Sequence, residues 1–350
     1  MQKIYLITGA CGHLGRHIVE RLLAAGARVR GLVLPGEDAA ALQAKGMEVV
    51  RGDVRLPETL QPLFAGLARR EVVVIHTAGI IDISARVSPL AYEVNVGGTQ
   101  NMVALALAHK VYRFIHVSSV HAIPEPRDRR RICETKTFSA EDVKGGYAKT
   151  KAEASQYVMD SVQRGLPAII VHPSGIIGPG DDGNNHVVAA IKAYLAGKYP
   201  AAPRGGYDLV DVRDVAAACI TAADRGRVGE TYILSGTHYE FVDIFQMVDD
   251  ITGKRAKPRP VVPTWMVRLA IPALRWHAQR KKEKALITSY SVDTLGSCDN
   301  FSHEKASREL DFWPRDIYVT LADTVAWLQR GEHGKQPRRK RRRRMARGTA

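Results

Sequence analysis

Eight residues near the start of the chain, Thr8-Gly9-Ala10-Cys11-Gly12-His13-Leu14-Gly15, limit what it can fold into more than any other stretch. An apolar run, Ile4-Tyr5-Leu6-Ile7, leads into them, and residues 17–25 follow with apolar positions at helical spacing. Strand, three glycines and helix, in that order, form a receptacle for a dinucleotide pyrophosphate. Glycine permits the tight turn and the close approach of backbone to phosphate, and the helix start offers free N–H groups and a positive dipole end. The spacing Gly-x-x-Gly-x-x-Gly is one residue wider at its start than the common form. Gly9, Cys11, Gly12, His13, Leu14 and Gly15 are therefore candidate cofactor contacts, with Cys11 a small filler.

Downstream, strands at 27–34, 47–50, 72–75, 113–117 and 168–171 alternate with helices at 38–45, 60–67, 88–109 and 147–164. Continuous apolar strands joined by helices indicate a parallel sheet covered on both faces, the α/β doubly wound parallel (Rossmann) sheet, whose ligand lies at the carboxyl ends of the strands. Small and polar residues gather at those ends: Asp53 and Val54, with Asp53 placed to accept from an adenine amino group; His76-Thr77-Ala78-Gly79, which lets a ring or ribose come close; and Ser118-Ser119. The second half alternates less regularly. Residues 172–181 are turn-rich, strands are expected at 207–210 and 231–234, helices at 185–195, 215–223 and 319–328, and a Pro-interrupted basic segment at 261–284. We expect a dinucleotide-binding domain over 1–171 with returning segments near 210–234, a smaller, mainly substrate-binding subdomain over 172–334, and a disordered basic tail over 335–350.

That tail holds nine Lys or Arg and no acid, out of a net charge of +15, which leaves +6 for the rest of the chain. A solvated tail is the plain expectation; anionic lipid or nucleic acid are the partners its charge would suit. Cys11, Cys133, Cys219 and Cys298 lie far apart with no Cys-x-x-Cys pair, so neither a metal site nor a disulfide framework is expected. The first strand starts too early to leave room for a secretory leader, and no apolar run is long enough to span a bilayer, so a soluble, cytoplasmic protein is expected.

Tyr147 and Lys151 are four apart on an expected helix and share one face. A nearby ammonium favours tyrosinate, so the phenol is expected to titrate closer to neutrality and to serve as a general acid or base.

With the glycine loop, Gly52-Asp53-Val54, His76-Thr77-Ala78-Gly79, Asn95-Val96-x-Gly-Thr, Val117-Ser118-Ser119, Tyr147-x-x-x-Lys151, the 173–179 and 210–215 runs and Gly229-Glu230-x-Tyr232, the chain resembles the extended short-chain dehydrogenase/reductases. This is the NAD-dependent epimerase/dehydratase superfamily, and the look is that of its dihydroflavonol reductase and 3β-hydroxysteroid dehydrogenase branch. The resemblance runs in family order from residue 4 to about 330. It implies hydride transfer between a nicotinamide and a secondary alcohol or ketone. Tyr147 would be the proton donor, Lys151 the residue that tunes it and holds the nicotinamide ribose, Ser119 rather than Ser118 the carbonyl-orienting hydroxyl, and Asn95 a structural asparagine. Pro173, Gly175 and Ile176 would pass the nicotinamide amide. Ile81, His121, His186 and Tyr207 would border the substrate, and two long helices, 88–109 and 147–164, would form a homodimer. A nucleotide-sugar epimerase or dehydratase is the first alternative, and a non-catalytic cofactor-sensing regulator the second. Leu34 stands where an arginine would welcome NADP and no acid ends the second strand, which leaves a slight preference for NAD.

Overall fold

A computed structural model describes residues 3–67, 71–82, 87–126, 128, 130–181, 185–199, 201–254, 260–281 and 300–334. Its centre is a seven-stranded parallel sheet of order β10-β6-β5-β4-β1-β2-β3, formed by β1 (Ile4–Thr8), β2 (Arg28–Val33), β3 (Glu48–Arg51), β4 (Val72–His76), β5 (Arg113–Val117), β6 (Ala168–Pro173) and β10 (Thr231–Leu234). The order reverses between β1 and β4, which opens the crevice where dinucleotides bind in such sheets.

Period-two alternation explains how apolar strands can be covered on both sides. Tyr5 and Ile7 of β1, with Val73, Ile75, Ile115 and Val117, face one core, which includes Ile18 and Leu22 of helix α1 (His13–Ala24) and Val215, Ala218 and Cys219 of a returning helix, Val212–Arg225. Ile4 and Leu6, with Val72, Val74, Phe114 and Ile170, face a second core, built with Leu60 and Leu63 of the helix Pro57–Phe64, Met102 of Gly98–Ala108, and Ala148 and Ala152 of Gly146–Gln163. The late segment carrying Ala306, Leu310 and Phe312 also packs into the first core, so the chain returns to the dinucleotide half twice, once beyond the expected 210–234.

Three features of the second half escape the sequence pattern. The turn-rich stretch after residue 172 holds a short strand, β7 (Gly175–Ile177), which pairs parallel to β9 (Gly206–Asp211), the two-residue β8 (Ala202–Pro203) lying between them in the chain; β9 pairs antiparallel to β11 (Thr237–Glu240). The amphipathic helix Phe241–Ile251 follows directly. Residues Thr264–Lys281 are helical despite Pro272. A third core joins Phe241, Phe245, Val188, Ile191 and Tyr194 to Leu321 and Val325 of the closing helix Ile317–Gly334. The expected helix over 88–109 is three pieces: Pro89–Tyr92, a π turn Glu93–Gly97, and Gly98–Ala108.

Among the described residues no helix is long and apolar enough to cross a membrane, and no cluster of His, Cys, Asp or Glu could hold a metal ion. The tail and Cys298 lie outside the described residues.

Candidate active site

The glycine loop is shaped by contacts that leave no space for a side chain. A Cβ on Gly15 would stand 2.0 Å from the Gly9 carbonyl oxygen; one on Gly9, which has φ +65°, would lie 2.9 Å from Thr77 Oγ1 and 3.0 Å from the Ala78 nitrogen. Gly12 precedes α1 with no side-chain cap, and no acid stands in the first turn of that helix. Uncapped N–H groups at a helix start, backed by a glycine cradle, fit a pyrophosphate. Gly9, Gly12, Gly15 and the first turn of α1, His13 and Leu14, are thus where a dinucleotide would be held. Cys11 is half-buried beside them.

Below the loop a chain of hydrogen bonds fixes the ends of β1 and β4. The Ala78 N–H donates to Thr8 Oγ1 at 3.2 Å, and Thr8 Oγ1 lies 2.8 Å from His76 Nδ1. His76 Nε2 is 3.1 Å from Thr99 Oγ1, whose own hydroxyl donates to the Asn95 carbonyl at 2.7 Å. Only one direction satisfies every member: His76 is neutral, accepts at Nδ1 and donates from Nε2. Burial pushes its pKa down to about 3, and the charge of Lys151 acts in the same direction. Thr77 Oγ1 donates to the Thr8 carbonyl at 2.7 Å, completing the floor.

The chain ends at the π turn, and that turn positions Asn95. Its Oδ1 accepts from the Ile80 N–H at 2.8 Å, while Nδ2 donates to the Ile80 carbonyl and to Thr150 Oγ1, both at 3.0 Å. One side chain therefore ties the loop after β4 to the helix that carries Tyr147 and Lys151. π turns are often found at functional positions, and here the turn Glu93–Gly97 carries the residue that makes this tie.

Tyr147 and Lys151 are both buried and both reach the end of β5. Lys151 Nζ donates to the Val117 carbonyl at 2.9 Å. It also approaches Gly79, where a Cβ would sit 3.4 Å from Nζ and 3.3 Å from Asn95 Oδ1. Tyr147 hydrogen-bonds the Ser119 side chain. The adjacent serine faces elsewhere: Ser118 Oγ pairs with Ser155 Oγ at 2.7 Å inside the protein. The site thus gathers Ser119, Tyr147, Lys151 and Asn95, with Ser118 set apart.

One expectation is corrected. The phenol was expected to titrate near neutrality under the influence of Lys151, but burial pushes Tyr147 up to about 12, opposed only by the Ser119 hydrogen bond. The lysine ammonium is directed at the Val117 carbonyl, and burial pulls Lys151 down to about 8. Before any ligand contributes charge, Tyr147 is therefore a neutral phenol with a proton to give.

Asp53, the expected adenine contact, already has a partner within the chain. Both carboxylate oxygens accept from the Arg55 guanidinium at 2.7–3.1 Å, and its backbone N–H and carbonyl bond to Thr59. Arg55 holds the carboxyl below its usual range against the effect of burial. Asp53 shapes the turn after β3, and an adenine amino group would share it with Arg55. Val54 is buried against Gly98.

Pro173 ends β6, and Gly175 and Ile176 open β7, so these three carry the chain from the main sheet to the second one. Of the substrate candidates, His121 meets Tyr147 edge-on with ring centroids 6.3 Å apart and is kept uncharged by burial. Ile81 is exposed on the loop anchored by Asn95. His186 opens the helix His186–Leu195. Tyr207, partly buried, packs edge-on against Phe241 at 5.9 Å beside the third core.

Sequence reasoning named His13 as a cofactor contact but missed His17 and the carbonyl that the two share. His13 Nε2 and His17 Nε2 both approach the Pro179 carbonyl, at 3.1 and 2.9 Å, binding the start of α1 to the loop after β7. The i, i+4 spacing of the two was visible, but the carbonyl they share was not. His116 and His172 were also missed; both are buried on the strands under Lys151, and His172 Nδ1 is 3.0 Å from the Ser119 carbonyl.

The arrangement can give a proton to, or take one from, an oxygen held between Tyr147 and Ser119, on the same edge of the sheet as a glycine loop that fits a pyrophosphate. Comparison with known proteins agrees. The model of the NAD dependent epimerase/dehydratase family matches residues 5–235. The sterol demethylase protein B of Methylococcus capsulatus is 31% identical over 328 residues, covering 93% of this chain and 98% of that protein. The human 3 beta-hydroxysteroid dehydrogenase type 7 is 26% identical over 360 residues, covering 93% and 95%. The crystal structure of gox2253 is 30% identical, with a TM-score of 0.79 over 96% of this chain and 100% of that one. The chain belongs to the NAD dependent epimerase/dehydratase family, and it is an NAD-dependent enzyme of the dehydrogenase/reductase kind.

Proposed function

We propose that this enzyme interconverts a ketone and a secondary alcohol on a large apolar ring system of the sterol kind, with Tyr147 as the proton donor in the reducing direction. The observation that carries the reading is the neutral Tyr147 hydroxyl bonded to Ser119. The His121 ring that meets it is uncharged too, and a neutral Tyr147–His121 pair suits an apolar ketone better than a sugar diphosphate. The names of the sterol and hydroxysteroid relatives support the substrate class.

In this reading Ser119 donates to the carbonyl oxygen and fixes it against Tyr147, whose O–H proton passes to that oxygen as charge develops. When bound, the nicotinamide supplies the hydride. Lys151 and Asn95 hold the loop after β4 and the Tyr147 helix in register, and the glycine loop holds the pyrophosphate. The smaller half, mainly within 172–334, would cover the substrate.

The test is turnover with steroid and sterol ketones and their alcohols, followed by reduced-nicotinamide absorbance with NADH and NADPH. Tyr147→Phe should lower turnover by roughly a thousandfold while dinucleotide binding persists. Turnover of nucleoside-diphosphate sugars with no activity on the ketones would overturn the substrate reading and favour an epimerase.

A further inference from the structure

Nearly all of the net charge of this protein lies in two segments. Residues 335–350 carry nine Lys or Arg and no acid; residues 264–284 carry six and one acid. Together they hold +14 of the net +15, so the remainder of the chain is close to neutral. A surplus needed only for solubility would be spread over the surface.

The second of these segments has an unusual exposed face. On the helix Thr264–Lys281, Trp265 is 62% exposed, Met266 46% and Leu269 74%. Pro272 is exposed as well, while Ile271 is buried. Positions 265, 269 and 272 follow one another at i, i+4 and i+7, with 266 alongside, so they form a single stripe. The sequence Thr264–Lys281 contains no acidic residue. A helix that turns Trp, Met and Leu outward amid bases has the composition of one that lies in a bilayer interface, its apolar stripe among acyl chains and its bases among headgroup phosphates.

We propose that the protein docks on the surface of an anionic lipid bilayer through the apolar stripe of the helix Thr264–Lys281, and that the basic segment 335–350 strengthens the attachment. Charge complementarity selects the partner: two cationic segments on an otherwise near-neutral chain match an anionic leaflet. Nucleic acid would satisfy the bases equally well, but Trp265, Met266 and Leu269 would gain little from a phosphate backbone and much from acyl chains. Ser119, Tyr147, Lys151 and Asn95 all lie outside both segments of the sequence. The proposal does not rest on the sterol reading, because it is measured by binding and not by turnover, although an apolar substrate dissolved in a membrane would then lie close at hand.

The experiment is co-sedimentation of the full chain with phosphatidylcholine vesicles, with and without about a third phosphatidylserine, at physiological salt. The chain should pellet with the anionic vesicles and stay in solution with the neutral ones. Ending the chain after Gly334 should weaken the partition by about a hundredfold or more, and the double exchange Trp265→Ser, Leu269→Ser by about tenfold. Dinucleotide binding and far-ultraviolet circular dichroism check that each variant is folded. Should the double variant fail to fold, brominated acyl chains should still quench tryptophan fluorescence of the unaltered protein in the anionic vesicles. The proposal is overturned by absence of anionic-vesicle binding, by binding that the double exchange leaves unchanged, by absence of bromolipid quenching, or by duplex DNA displacing the protein from the vesicles.

Discussion

The carboxyl edge of the main sheet and the core of the smaller half are held together by different physics. At the sheet edge, Ala78, Thr8, His76, Thr99 and Asn95 are joined by directional bonds of 2.7–3.2 Å, each dependent on one tautomer and one protonation state. In the smaller half, rings do the holding: Tyr194 stacks on Phe245 at 4.1 Å, and Tyr199 and Phe241 pack on Phe245 at 5.4 and 5.7 Å. Hydrogen-bond chains fix position finely but fail if a single member changes charge. Aromatic packing is less directional and tolerates small shifts. Proton and hydride transfer need the first kind of support, and a surface that closes on a large apolar substrate can use the second.

Acid should separate the two most strongly. His76, His116 and His172 are buried and neutral; burial lowers His76 to about 3 and His172 to about 4, and puts His116 well below its ordinary value. Their folded pKa values lie under the unfolded value of about 6.5, so the unfolded chain binds more protons in that window. Stability therefore falls as pH drops below about 6.5, and the loss ends only below the folded values. Three protons correspond to roughly 4 kcal/mol per pH unit between about pH 6 and 5. Urea midpoints taken across this range measure the slope, and His116→Leu should remove about a third of it. A slope no steeper than one proton would refute the claim that all three are held neutral.

The next effect lies where the two regions meet. Asp211 ends β9 and caps the helix Val212–Arg225; its fully buried carboxylate accepts from Arg213 at 2.7 and 3.0 Å and from Thr320 of the closing helix at 2.8 Å. Burial would raise its pKa, but Arg213 and Thr320 outweigh that and hold it below the usual range. Asp211→Ala should cost about 3–5 kcal/mol, because Arg213 loses its buried partner. Asp214→Ala, which breaks a more exposed pair with Arg315, should cost about 1 kcal/mol or less. Equal losses in urea unfolding would mean that the junction is not held by Asp211.

Two neighbouring serines sharpen the contrast within the sheet edge itself. Ser119→Ala removes a hydroxyl that meets Tyr147 and should lower turnover about a hundredfold with folding intact. Ser118→Ala leaves Ser155 without its partner, so it should cost about 1 kcal/mol of stability and leave turnover nearly unchanged. Steady-state kinetics of both, beside their melting curves, would expose a reversed assignment.

How much of this was legible in the sequence also divides along the same line. Parallel strands announce themselves as apolar runs, so Val72–His76 and Arg113–Val117 could be placed, and with them the loop ends that carry Gly79 and Ser119. Ser118 turns to Ser155 and Ser119 to Tyr147, a difference of direction that two adjacent serines do not show in sequence. The π turn at Asn95 was illegible because a π turn keeps helical apolar spacing and changes only the bond pattern. The elevated pKa of Tyr147 was illegible because the i, i+4 spacing shows that a lysine is near, not that its ammonium points at the Val117 carbonyl. In the smaller half, β7 lies within a run of prolines and glycines that reads as turn, and it exists only because β9 is there to pair with it.

Tyr207 gives the smallest expected effect and the finest test of the division. Resemblance places it at the substrate, while the structure places its ring on Phe241 and its backbone in the β9–β11 pair opposite Tyr239. If the ring is there to pack, Tyr207→Phe keeps the edge-on contact and removes only an oxygen, so stability should change by less than about 1 kcal/mol and KM by less than about twofold. Tyr207→Ala deletes the ring and should cost about 3 kcal/mol, with turnover following stability and not substrate affinity. A tenfold rise in KM for Tyr207→Phe, at unchanged melting temperature, would return this hydroxyl to the substrate. It would also show that the aromatic core of the smaller half reaches the chemistry directly, and does not merely support the surface that closes over it.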